Sequence, residues 1–187
     1  MLQPVSMQVI RDPMSELEIR EEQAADRLAI RTVTEAAFRH MPYAGGDEQD
    51  VIERLRTASA LTLSLVALEN NQVIGQITFS PATVTEGTGP WFALGPVSVV
   101  PAKQGYGVGS ALITEGLARI SALGALGCIL TGNPDYYSRF GFHIAPTNTP
   151  DNEAEIYFQL KLISGAPPVG RFCFHPAFYG DNKNAPA

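Results

Sequence analysis

The stretch GPVSVVPAKQGYGVGSALITEGLAR, residues 95–119, decides the reading of this chain. It opens with a β-branched run, Val97-Ser98-Val99-Val100, which favours a strand. Pro101 ends that run, because it fixes φ and has no N–H to offer a ladder. A glycine-rich turn follows, Gln104-Gly105-Tyr106-Gly107-Val108-Gly109. Ile113, Leu117 and Ile120 then recur at the spacing of one apolar helix face. The local order is strand, glycine turn, helix.

The first N–H groups of a helix have no partner inside it, and the helix dipole adds partial positive charge there. Glycines remove the side chains that would hold a ligand away. The product is a cradle for an anion, most often a phosphate or pyrophosphate. A P-loop would end in Gly-Lys-Ser/Thr, whereas this turn ends in Gly109-Ser110-Ala111. A dinucleotide fingerprint needs a third glycine, and that slot holds Ser110 or Leu112 depending on the starting glycine. No acid stands near the end of the next strand, Cys128-Ile129-Leu130, to hold a ribose. Both readings lack residues they require.

The bulk composition narrows the remaining classes. A chain of 187 residues suits one domain with a real core. Its 45% hydrophobic and 17% charged content describe an ordinary globule, and 17 glycines and 14 prolines imply many turns. A net charge of −6 argues against nucleic acid as the main partner. No apolar run is long enough to span a membrane. Residues 1–16 read as a loose N-terminal extension, since Arg11 and Asp12 stand where a signal peptide would be apolar. Cys128 and Cys173 lie in apolar strand-like runs, so buried free thiols and a cytoplasmic setting are expected.

Along the chain, residues 17–20 alternate as a first strand. Asp26 is placed to cap a helix through Leu28, Val33 and Phe38, and Asp47 to cap a second with Val51, Ile52 and Leu55 on its buried side. Strands over 61–68, 73–79 and 91–100 form a meander with turns at 69–72 and 86–90. Gly75 inside the second of these marks a bulge or a close approach. A helix over 110–123 and a buried strand at 128–130 follow. A brief helix over 135–140, strands from Phe142 and over 156–163, and a last strand or ordered tail over 170–178 complete the chain.

Two motifs carry a family resemblance. Gln104-x-x-Gly107-x-Gly109, directly after a Val-Val-Pro strand end, resembles the acetyl-CoA signature of the GCN5-related N-acetyltransferases. Tyr137-Ser138-Arg139-Phe140-Gly141-Phe142 resembles that family's Tyr-x-x-x-Gly-Phe. The longer run from Gly132 to Phe142, and the closing Phe174-His175-Pro176-Ala177-Phe178, resemble the bacterial YhbS-like subgroup. The order β-α-α-β-β-β-α-β-α-β-β is that of the acetyltransferase fold, an α/β mixed sheet with helices on both faces.

The resemblance implies one domain over 17–187 that moves the acetyl group of acetyl-CoA directly to an amine of a small molecule or peptide. It implies backbone contacts to the thioester and pantetheine from Val97, Ser98 and Val99. The pyrophosphate would lie on the amides of Gln104, Gly105, Tyr106, Gly107, Val108, Gly109 and Ser110, with Lys103 adding charge or standing as a solvated lysine. Tyr137 would protonate the departing thiolate as general acid, or else be a core aromatic; Tyr136 is expected to pack. No metal, membrane or nucleic acid is implied, and a homodimer is compatible with the family. A non-catalytic acyl-CoA-binding or regulatory module on the same fold is the alternative.

The general base is not legible. Residues 91–100 contain no acid, Glu69 and Glu86 fall at turns, and His143 and His175 have no metal spacing. The asparagine common seven residues before the tyrosine is Leu130 here, with Asn133 as a substitute left open. Asp47, Glu48 and Asp50 either draw a cationic acceptor amine or act as helix-capping surface acids. Cys128 is in the wrong setting for a nucleophile, and no Gly-x-Ser-x-Gly elbow occurs.

Overall fold

The structure, a computed structural model, describes residues 17–42 and 45–180. The extension at 1–16 and the tip of the loop expected at 43–46 therefore lie largely outside the described residues. The strands are β1 (Glu18–Glu21), β2 (Leu63–Glu69), β3 (Gln72–Glu86), β4 (Trp91–Val99), β5 (Gly127–Thr131), β6 (His143–Ile144), β7 (Phe158–Leu162) and β8 (Val169–Phe174). The helices are α1 (Arg27–Phe38), α2 (Glu48–Thr57), α3 (Val108–Ala122) and α4 (Pro134–Tyr137). One sheet runs in the order β1-β2-β3-β4-β5-β7-β6. Its pairs are antiparallel except β4 with β5.

The β2–β3 hairpin turns on Asn70 and Asn71, both at positive φ, 50° and 61°. Two left-handed residues in a two-residue loop match the twist of the flanking strands. β3 is longer than the alternation of residues 73–79 suggests. Its far half, from Ala82, pairs with β8 where β2 has ended. That partner comes from more than eighty residues away, a pairing no local pattern carries.

Residue parity along the strands assigns the two faces. Leu65, Ile77 and Phe79 pack in one core cluster with Leu112, Ile113 and Ile120 of α3. Val66 packs in another with Ile30 of α1 and Ile52 of α2. The expected helices on both faces are present. Gly75 and Gly116 let α3 settle on the sheet: a Cβ on Gly75 would stand 3.1 Å from Leu112, and one on Gly116 2.4 Å from the Phe79 ring. Gly75 also sits at a shift of register between β2 and β3, so both readings of that glycine hold.

The two expected caps differ in detail. Asp26 precedes α1 but makes no side-chain bond to it. Its carboxylate accepts from Gln23 N–H at 2.7 Å and from the Arg20 guanidinium at 2.6 and 3.1 Å. Asp47 pairs instead with Arg54 at 2.9 Å, a residue two turns along α2. In both cases an arginine holds the carboxylate, and the side chain makes no capping bond to the helix it precedes.

Candidate active site

β4 decides the site. Ile77 of β3 opposes Val97, and Phe79 opposes Leu94, so Gly95 and Pro96 together face only Thr78. This bulge, missed by a reading of 91–100 as a regular strand, is held from β3. Thr78 Oγ1 donates to Gly95 C=O at 2.7 Å, and Gln76 Nε2 to Pro96 C=O at 3.2 Å. Bulges bend the strand that carries them. β4 and β5 accordingly pair only from Trp91 to Ala93. Past Ala93 they part.

Main-chain groups alternate sides along a strand. Val100 N–H donates to Ile74 C=O at 2.9 Å, so it faces β3. Ser98, two residues back, faces β3 as well. Val97 and Val99 therefore turn their main-chain groups to the parting. The Ser98 side chain is buried on the opposite business, accepting from Gln76 Nε2 at 2.9 Å and lying 3.1 Å from Thr34 Oγ1.

The glycine turn opens at the same place. α3 starts at Val108, two residues earlier than the sequence suggests, with Gly107 before it at φ 85°. Only glycine adopts that left-handed cap without strain. The first bond of the helix runs from Ala111 N–H to Gly107 C=O at 2.9 Å. Among the described residues, the amides from Gly105 to Ser110 donate to no main-chain carbonyl. A Cβ on Gly105 or Gly107 would meet nothing within 4 Å. The mouth is bare, and space lies in front of it.

Gln104 stands apart from that set. Its amide donates to Pro101 C=O at 3.3 Å and its side chain to Val99 C=O at 3.0 Å. It is a brace between the turn and β4. Lys103 is also committed elsewhere, with Nζ 2.7 Å from Glu69 Oε1. The Tyr106 side chain is exposed.

α4 lies beside the parting. Asn133 accepts from Asp135 N–H at 3.0 Å and so caps α4, which occupies the side chain considered as a substitute for the missing asparagine. Tyr137 packs edge-on to Phe142 and against Gly132. Burial pushes its hydroxyl well above the ordinary tyrosine range. Among the described residues that hydroxyl makes no hydrogen bond. Tyr136, expected only to pack, sends its hydroxyl to the helix mouth, 3.0 Å from where a Gly109 Cβ would stand. Arg139 lies over its ring at 4.7 Å. Two residues on adjacent helical positions thus point to different places, Tyr137 to Phe142 and Gly132 and Tyr136 to the helix mouth, which their spacing in sequence does not distinguish.

A cavity of about 620 Å³ adjoins the parting, lined by Leu94, Gly95 and Pro96 of the bulge and by Thr131 at the end of β5. Its outer wall includes Val51, Phe174, Phe178, Tyr179, Asn152 and Glu153. Asp47, Glu48 and Asp50, read from the sequence either as drawing a cationic amine or as capping surface acids, do not line this cavity. Asp50 pairs with Arg31 at 2.8 Å, Asp47 with Arg54, and Glu48 takes the Gly45 and Gly46 amides at 2.5 and 3.1 Å. His175 is structural, its Nδ1 accepting from Ala177 N–H at 3.2 Å. Cys128 is wholly buried, and burial raises its thiol above the ordinary range. Among the described residues no group of His, Cys, Asp or Glu is arranged to hold a metal, and no helix is long and apolar enough to cross a membrane.

A mixed sheet parted between two parallel strands, with a bare helix mouth at the parting, defines the acyl-CoA N-acyltransferase class of fold. A family model described as acetyltransferase (GNAT) domain matches residues 18–145, and the chain belongs to that family. The N-acetyltransferase YhbS of Escherichia coli K12, itself described as uncharacterized, is 36% identical over 99 residues. That match covers 52% of this chain and 59% of the relative. The crystal structure of YhbS from Escherichia coli with CoA superposes with a TM-score of 0.81 at 27% identity, covering 94% of this chain and 98% of that one. A GNAT acetyltransferase from Brucella melitensis in complex with acetyl-CoA is 46% identical, with a TM-score of 0.76. It matches over 87% of this chain and 97% of its own.

Proposed function

We propose that this protein transfers the acetyl group of acetyl-CoA to an amine nitrogen. The observation that carries the reading is the coincidence of the β4–β5 parting with the bare amides from Gly105 to Ser110. A pyrophosphate fits amides that have no protein acceptor, at the positive end of a fifteen-residue helix. The likeness to an acetyl-CoA complex at 46% identity supports the same donor.

In this mechanism Val97 and Val99 present main-chain groups to the pantetheine and thioester, and their N–H groups polarise the carbonyl. Ser98 contributes by holding the strand. The neutral amine attacks the carbonyl carbon; the C–N bond forms and the C–S bond breaks. The sulfur leaves with the bonding pair and takes a proton from the Tyr137 hydroxyl, while the surplus proton on nitrogen passes to water. Tyr137 then recovers its proton from solvent. Burial keeps the Tyr137 hydroxyl protonated at neutral pH, as a proton donor must be, while the upward shift makes it a weaker acid than a free tyrosine, so its role rests on its place beside the parting. Residues 17–187 act as one domain, and the free thiols Cys128 and Cys173 fit the reducing cytoplasm.

Thiol release from acetyl-CoA with a panel of amines tests the function. Turnover with at least one amine is expected. Binding of acetyl-CoA without turnover across a broad panel would instead favour a non-catalytic acyl-CoA-binding module.

A further inference from the structure

The cavity beside the bulge has one charge among its described lining residues, Glu153. This glutamate lies in the loop between β6 and β7, where its neighbours Asn152 and Ala154 are exposed and it alone is half-buried. Its Oε1 is 3.4 Å from the Tyr179 hydroxyl, which also stands 3.3 Å from Asn152 Oδ1. Tyr179 is itself 9% exposed. One weak, shared hydroxyl donor leaves most of the carboxylate's acceptor capacity unused. Among the described residues no arginine or lysine pairs with Glu153, although Asp151, two residues earlier, is paired with Arg171 at 3.1 Å. Apart from this corner and Thr131 at the end of β5, the side chains of the wall are apolar: Val51 from α2, Pro96 from the bulge, and Phe174 and Phe178 from the C-terminal segment.

That wall is held in place. Arg54 of α2 donates to Ala177 C=O at 2.8 Å and to Phe178 C=O at 3.3 Å, clamping the C-terminal turn onto α2. Leu94 belongs to the core beneath α3, yet it also lines the cavity. The cavity therefore reaches the parting itself, where the thioester lies under the proposed function.

We infer that this cavity is the acceptor site, and that it takes a primary amine on a compact apolar stem, bound as an ammonium paired with Glu153 that gives up one proton to water before the neutral nitrogen attacks. The inference rests on the acetyl-transfer reading above. An unpaired carboxylate in a largely apolar recess is costly unless a cation joins it. A volume of about 620 Å³ suits a small molecule of this kind. The apolar wall disfavours a polyamine, whose further charges would lose water against Phe174 and Phe178 without a partner.

Calorimetry tests this in two stages. CoA is titrated first; failure to bind would defeat the acetyl-transfer reading and not the cavity assignment alone. 2-Phenylethylamine, 2-phenylethanol and spermidine are then titrated into the CoA complex. The amine should bind at least tenfold more tightly than the alcohol or spermidine. Glu153→Gln, which keeps size and the Tyr179 contact, should weaken the amine at least tenfold and leave both the alcohol and CoA unchanged. In turnover the same variant should raise KM for the amine and not for acetyl-CoA. Equal amine affinity in wild type and variant, preference for spermidine, or no amine binding to the CoA complex would each overturn the inference.

Discussion

Replacing Tyr137 by Phe separates chemistry from binding more cleanly than any other change at the site. The ring stays, and with it the edge contact to Phe142 at 6.0 Å between centroids and the packing on Gly132. The lost hydroxyl orphans no protein group, so stability should change by less than about 1 kcal/mol. Burial holds the hydroxyl above its usual value of roughly 10, so at pH 8 about 99% or more carries its proton. Tyrosine is the acid form below its pKa, so no alkaline loss of activity from this group is expected below about pH 10. Removing a general acid costs roughly 10²–10⁴-fold in rate, about 3–5 kcal/mol of barrier. The assay is thiol release under saturating acetyl-CoA, with calorimetry for its affinity. Tyr136→Phe is the control. Its hydroxyl faces the helix mouth, so its loss should weaken acetyl-CoA by about tenfold and spare kcat. If Tyr137→Phe weakened acetyl-CoA while turnover stayed intact, the roles given to the two tyrosines would be refuted.

Three further outcomes are expected. Gly107→Val forces a branched residue to a φ of 85°, costing roughly 1–2 kcal/mol of stability. It also fills the open space before the helix mouth, so acetyl-CoA affinity should fall more than tenfold, and calorimetry at wild-type affinity would misplace the cradle. Gly116→Ala brings a Cβ within 2.4 Å of the Phe79 ring and should cost about 1–3 kcal/mol in denaturant unfolding, despite alanine's better helix propensity. A more stable variant would mean that Phe79 turns aside freely. Asp26 is held below the ordinary carboxylate range, first by Arg20 and then by the Gln23 amide. Its contribution is therefore present above its unfolded pKa and lost as pH falls through the lower folded value. Asp26→Asn should destabilise by roughly 1–2 kcal/mol at pH 7, with the difference from wild type shrinking in acid; a gap that does not depend on pH would contradict the pairing.

Much of this protein was readable from its residues in order. The β-branched run, Pro101, the glycines of the turn and the apolar spacing after them specify strand, turn and helix, because each acts on its own backbone or on neighbours within a few residues. Asn70-Asn71 marks its hairpin for the same reason, whereas α4 starts at Pro134, one residue before the brief helix read over 135–140. What local chemistry could not decide were the partners of charged and polar groups. Lys103 went to Glu69, Asp47 to Arg54 and Asn133 to its own helix, each by proximity created in folding. The bulge at Gly95-Pro96 depends on Gln76 and Thr78 across the ladder, so residues 91–100 read alone as an even strand. The cavity draws Val51, Leu94, Glu153 and Phe178 from four distant segments. The glycine turn proposed to hold the donor belongs to one contiguous stretch and shows in the sequence; the cavity proposed for the acceptor is assembled by long-range packing and exists only once the chain has closed on itself.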